Sequence, residues 1–136
     1  ELAFVLGKQG LGQSTVVGIG ADTVSGSDFV DILLLFEKDT ETKATVIFGE
    51  VGGVSEELVA EYVKRKKIKK PIVAMIGGKF THLLPSGTVL GHAGAIVSHG
   101  KGGYNSKIKV LKEIGVTLAK TPEEIPVLLK KILKIK

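Results

Sequence analysis

One histidine in this sequence stands among residues too small to shield it: Leu90-Gly91-His92-Ala93-Gly94-Ala95-Ile96-Val97. Gly91, Ala93 and Gly94 leave its ring open to close approach and free the backbone for conformations closed to larger residues. Such an imidazole suits a nucleophile; its other reading is a loop cap bonded to a carbonyl. A second cluster, Phe48-Gly49-Glu50-Val51-Gly52-Gly53, offers a carboxylate. A carboxylate that accepts a hydrogen bond from one imidazole nitrogen fixes the tautomer and frees the other lone pair for attack. Glu50 and His92 are therefore a candidate pair, the alternative for Glu50 being a solvated acid at a strand end. Gly52 and Gly53, just ahead of a helix beginning near Ser55, would turn backbone N–H groups and a positive helix end toward an anion.

His82 and His99 flank the motif, but spacings of ten and seven residues are not a standard ligand pattern. With no carboxylate in the same stretch, no metal site is expected. Gly100-Lys101-Gly102-Gly103 does not match the Walker spacing, and Gly18-Ile19-Gly20-Ala21-Asp22 falls short of a dinucleotide fingerprint.

The elements that must position these residues follow from periodicity. Four short β-branched apolar runs, 14–19, 44–49, 71–76 and 115–119, read as buried strands. Segments 27–38, 55–67, 106–113 and 121–134 have helical spacing, as in Phe29, Ile32, Leu33 and Phe36. Ser27, Ser55 and Thr121 stand where N-caps belong, the last followed by Pro122 and Glu124. Alternating strands and helices predict an α/β fold with a parallel sheet. The glycine-rich stretch 77–103 follows the third of these strands, at the carboxyl edge where open parallel sheets bind ligands. Segment 1–8 reads as a helix with no strand before it, whereas a doubly wound unit starts on a strand. The expectation is one domain, 1–136, truncated at its N-terminal end.

Length and composition agree: 136 residues, 43% hydrophobic and 24% charged, suit one packed domain. The absence of cysteine excludes disulfides, thiolate metal sites and a cysteine nucleophile. The net charge of +5 is concentrated in 62–70 and 129–136, both at helix ends, where lysines complement the dipole. With two tyrosines, five phenylalanines and no tryptophan to stack on bases, no nucleic-acid partner is expected. No apolar stretch reaches the roughly 18 residues of a membrane span, so no membrane partner is expected either.

Gly91-His92-Ala93-Gly94-Ala95-Ile96 resembles the active-site motif of the succinyl-CoA synthetase α subunit and its relatives in the acid–CoA ligase and ATP-citrate lyase superfamily. Gly12-Gln13-Ser14-Thr15, Gly18-Ile19-Gly20 with Asp22, Gly26-Ser27 with Phe29 and Asp31, Gly49-Glu50-Val51-Gly52-Gly53 and Gly100-Lys101-Gly102 resemble that family in the same order. The resemblance covers nearly the whole chain. It implies a flavodoxin-like ligase domain whose first, central strand and N-terminal CoA-binding domain are absent from this chain. His92 would be the phosphorylated histidine, Glu50 the acid that holds its ring, and Gly52, Gly53, Gly91 and Gly94 the phosphate contacts.

In such an enzyme a nucleoside triphosphate phosphorylates the histidine, a carboxylic acid takes the phosphoryl group, and coenzyme A captures the acyl phosphate. Coenzyme A and Mg-ATP or Mg-GTP would be substrates of the complete complex, none held tightly by this domain. The implied partners are a nucleotide-grasp β subunit and the rest of the α subunit, in the cytoplasm or the mitochondrial matrix. Lys79-Phe80-Thr81-His82, Val89 and Gly103-Tyr104 depart from the family pattern and bear on whether the acid is succinate, citrate or malate. A non-catalytic interaction module of the same fold is the alternative from a different class.

Overall fold

The computed structural model describes residues 1–20, 26–84 and 102–135, the side chain of His82 excepted. The described residues form five helices and three strands, alternating from α2 onward: α1 (Leu2–Lys8), α2 (Phe29–Lys38), β1 (Thr45–Gly49), α3 (Ser55–Lys64), β2 (Ile72–Ile76), α4 (Tyr104–Glu113), β3 (Thr117–Leu118) and α5 (Glu124–Leu133), with a 3₁₀ turn at Lys79–Leu83. The strands form a parallel sheet in the order β1-β2-β3, in the register Thr45 to Ile72 and Val73 to Thr117. This is the α/β architecture that the alternation predicts, and it is consistent with the flavodoxin-like fold of CoA ligases.

Successive strand residues face opposite ways, so each side of β2 builds its own core. Ile72, Ala74 and Ile76 meet Val30 and Leu33 of α2, Val59 of α3 and Leu111 of α4. Val73, on the other face, packs with Leu6 of α1 and with Ile125 and Leu129 of α5. The sheet is thus covered on both faces, as a parallel sheet requires.

Several boundaries differ from the sequence expectation for local reasons. The cap of α2 is Asp28 rather than Ser27: its carboxylate accepts the Asp31 N–H, and the Asp31 carboxylate accepts the Asp28 N–H, a reciprocal pair that a cap at Ser27, with Val30 three residues on, would not complete. Ser55 is already helical, and the first turn of α3 is supported by Glu56 and Glu57 instead of a side-chain cap. That helix stops at Lys64, not Lys67, because Lys66 turns left-handed (φ 56°) and the Lys67 N–H closes back on the Tyr62 carbonyl at 2.9 Å. At α5, Pro126 has no N–H to give the Pro122 carbonyl. The chain between Thr121 and Ile125 therefore closes with tighter i→i+3 bonds, and the regular helix starts at Glu124. Part of the basic run is structural: the Lys70 ammonium donates to the Phe36 and Asp39 carbonyls at the end of α2.

The expected strand 14–19 does not form. Its residues have the composition of a strand, yet Val16 and Val17 are exposed and the segment joins no ladder. An apolar cleft of about 640 Å³ is lined by Val17 and Ile19 of this segment, Val46 of β1, Phe36 of α2 and Leu6 of α1. A strand is stable only against a neighbouring edge, and segment 14–19 pairs with none in the sheet.

Candidate functional site

At the carboxyl end of β1 the chain leaves the sheet through Glu50 and enters α3 through Gly52 (φ 101°) and Gly53 (φ 56°). Both angles lie in the left-handed region that favours glycine. Glu50 is exposed, Val51 buried beneath it.

Both flanks of the His92-bearing stretch converge on this turn. On the incoming side, the Gly77 N–H donates to the Gly49 carbonyl at 2.7 Å, and a Cβ on Gly78 would stand 3.0 Å from the Val51 methyls. On the outgoing side, the Gly52 N–H donates to the Gly102 carbonyl at 2.7 Å. Gly102 lies so close that a Cβ there would come within 2.7 Å of the Gly53 carbonyl oxygen. Two helices start at this junction, α3 and α4, neither with a side-chain cap. Their first N–H groups carry the partial positive charge of helix ends.

Beneath the junction is a buried ionic cluster that the sequence reading missed. Lys107 of α4 has no solvent exposure and pairs with the Glu56 carboxylate, while its ammonium lies 3.5 Å from Oε2 of Glu57. Burial pushes the Glu56 carboxyl above its ordinary range, and Lys107 pulls it back without cancelling the effect. Oε1 of Glu57 accepts the Gly102 N–H at 3.2 Å and the Ser106 hydroxyl at 3.4 Å. Gly49 makes room for the cluster, since a Cβ there would overlap the Glu56 carboxylate.

Of the residues expected from sequence, Glu50, Gly52 and Gly53 stand together at one sheet edge. His92, Gly91 and Gly94 lie outside the described residues, as does His99. The described residues hold no cluster of three metal-ligating side chains, and none of their helices is long and apolar enough to cross a membrane.

The family model for CoA-ligase matches residues 1–117. The chain belongs to the CoA-ligase family. Among its curated relatives, the α2 subunit of the ADP-forming succinate–CoA ligase of Archaeoglobus fulgidus is 48% identical over 133 residues, 98% of this chain and 45% of that protein. The α subunit of the ADP-forming succinate–CoA ligase of Staphylococcus epidermidis is 48% identical over 92% of this chain and 40% of its own length. The chain thus spans less than half the length of these relatives. Among solved structures, ATP citrate lyase of Methanosaeta concilii in complex with (3S)-citryl-CoA superposes with a TM-score of 0.73 at 27% identity, over 86% of this chain and 20% of that one.

Proposed function

We propose that this chain is the phosphoryl-carrying domain of a succinate–CoA ligase α subunit. The observation that carries the reading is the 48% identity to such an α subunit across 98% of the chain. The anchoring of residues 78 and 102 on the Glu50 turn supports it, because the stretch between them holds His92.

In this reading a neutral His92 nitrogen attacks the γ-phosphorus of Mg-ATP or Mg-GTP, and the bond from phosphorus to the departing nucleoside diphosphate breaks. Glu50 accepts the hydrogen bond of the other ring nitrogen and stabilises the positive charge that develops on the imidazole. Gly52, Gly53, Gly91 and Gly94 admit the phosphoryl group to backbone N–H donors and to the start of α3. A succinate carboxylate oxygen then takes the phosphoryl group from His92, and the coenzyme A sulfur displaces phosphate from the acyl phosphate. Nucleotide and coenzyme A are held elsewhere in the complex, by a β subunit and by the remaining part of the α subunit. Citrate is the second acid to test, favoured by the structural likeness to a lyase bound to citryl-CoA.

The cleft beside β1 supports the expected central strand, supplied by sequence beyond these 136 residues.

The test is phosphoryl uptake. The full-length α chain with its β subunit, Mg²⁺ and γ-labelled ATP or GTP should acquire an acid-labile, alkali-stable label that His92→Asn abolishes. Label that survives His92→Asn, or no label in an assembled complex, refutes the relay.

A further inference from the structure

Glu57 is half-buried behind the glycine junction, with one carboxylate oxygen, Oε2, shut away from solvent. Glu56 already pairs with Lys107, so a second carboxylate leaves two negative charges for one fully buried ammonium. Oε2 of Glu57 is buried without a hydrogen bond, with the Lys107 ammonium 3.5 Å away as its only charge partner among the described residues. A packed apolar residue would serve stability as well or better. What an apolar residue would not do is accept the Gly102 N–H.

We propose that Glu57 is a positioning residue of the phosphoryl relay, fixing the Gly102 end of the His92-bearing stretch against the Glu50 turn; this rests on the relay reading above. One peptide group makes the connection. Oε1 of Glu57 holds the Gly102 N–H at 3.2 Å, and the Gly102 carbonyl holds the Gly52 N–H at 2.7 Å. Ser106 adds a second donor to the same oxygen at 3.4 Å, so the carboxylate is oriented from the α4 side as well. Gly102 at φ 77° lies backbone against backbone on Gly53, a distance that no side chain tolerates. Glu57 thus sets, through rigid helix α3, where the outgoing flank of the stretch begins. A misplacement of about 1 Å at a reacting group costs on the order of 100-fold in rate.

The experiment compares Glu57→Ala, Glu57→Gln and Glu57→Asp in the full-length α chain assembled with its β subunit. It reads the rate of γ-labelled ATP phosphoryl uptake, the KM for ATP, and amide exchange at Gly52 and Gly102. Glu57→Ala should slow uptake by on the order of 10–100-fold with KM unchanged, and both amides should lose protection. Glu57→Gln keeps an acceptor oxygen at the same reach and should restore the rate and the protection. Glu57→Asp keeps the charge but shortens the reach by one methylene; it should be as slow as Glu57→Ala, and it carries the test where the alanine variant does not assemble. Uptake at the wild-type rate with the two amides opened overturns the role of Glu57. So does a glutamine variant as slow as the alanine one, which would assign the effect to charge. A wild-type complex that takes up no label refutes the relay itself, and the role with it.

Discussion

Lys107→Met removes the one fully buried lysine among the described residues and leaves Glu56 and Glu57 facing each other without a cation. Breaking a buried pair by deleting one partner costs about 3–5 kcal/mol, because an uncompensated charge stays behind. For a 136-residue domain the unfolding entropy is about 290 cal/mol/K, so this loss lowers Tm by about 10–17 °C. The loss also has a pH signature. Burial already raises the Glu56 carboxyl, and removing Lys107 takes away the opposing pull. A carboxyl raised in the folded state binds more protons folded than unfolded. Its favourable contribution is complete below the ordinary value of 4.5 and is lost as pH rises through the folded value. The gap between wild type and Lys107→Met should therefore be widest at pH 8 and narrow toward pH 5. Thermal melts followed by far-ultraviolet circular dichroism at the two pH values check both parts. A variant that melts within about 3 °C of wild type at pH 8, or a gap that does not narrow on acidification, would refute the uncompensated-charge reasoning.

Gly49→Ala should destabilise the domain by about 1–3 kcal/mol in urea unfolding, since the new methyl must displace the Glu56 carboxylate from its contact with Lys107. Lys66→Gly should stabilise it by about 1 kcal/mol, because Lys66 holds a left-handed conformation at the end of α3 that suits glycine better. If the cleft takes the proposed strand, extending the chain by the residues that precede it in a full-length α subunit should raise Tm and protect the β1 amides from exchange. An unchanged melt would count against a strand in the cleft.

The sequence shows β1 and β2 plainly, since Thr45–Gly49 and Ile72–Ile76 are short β-branched runs, the second buried except at half-buried Met75 and the first buried at Thr45, Ile47 and Gly49. Segment 14–19 has the same composition and fails as a strand, because composition records what a segment can become and pairing depends on an edge that another part of the chain must supply. Glu50, Gly52 and Gly53 were legible as a turn because glycines in that pattern before a helix have few other uses. Lys107 was not, since it stands in a helix with Lys109 and Lys112, and all three read as surface charge. Only its phase distinguishes it: Lys107 falls on the face of Tyr104, Ile108 and Leu111, which pack into the core, while Lys109 and Lys112 point to solvent. The same test applied to α3 puts Glu56 with Val59, Ala60 and Val63, and the two helices together would have paired the acid with the base.

The cleft beside β1 also governs how this polypeptide behaves in company. Among the described residues, the outer edge of Thr45–Gly49 has no strand beside it, and its walls are greasy. An edge of that kind is a template for whichever extended apolar segment arrives first, including the Val16-Val17 segment of another copy. Two copies that dock these segments on each other's β1 edges would be held by intermolecular ladders, an aggregate built from ordinary strand pairing. Concentration, rather than heat, is then the condition to which these 136 residues on their own should be most sensitive.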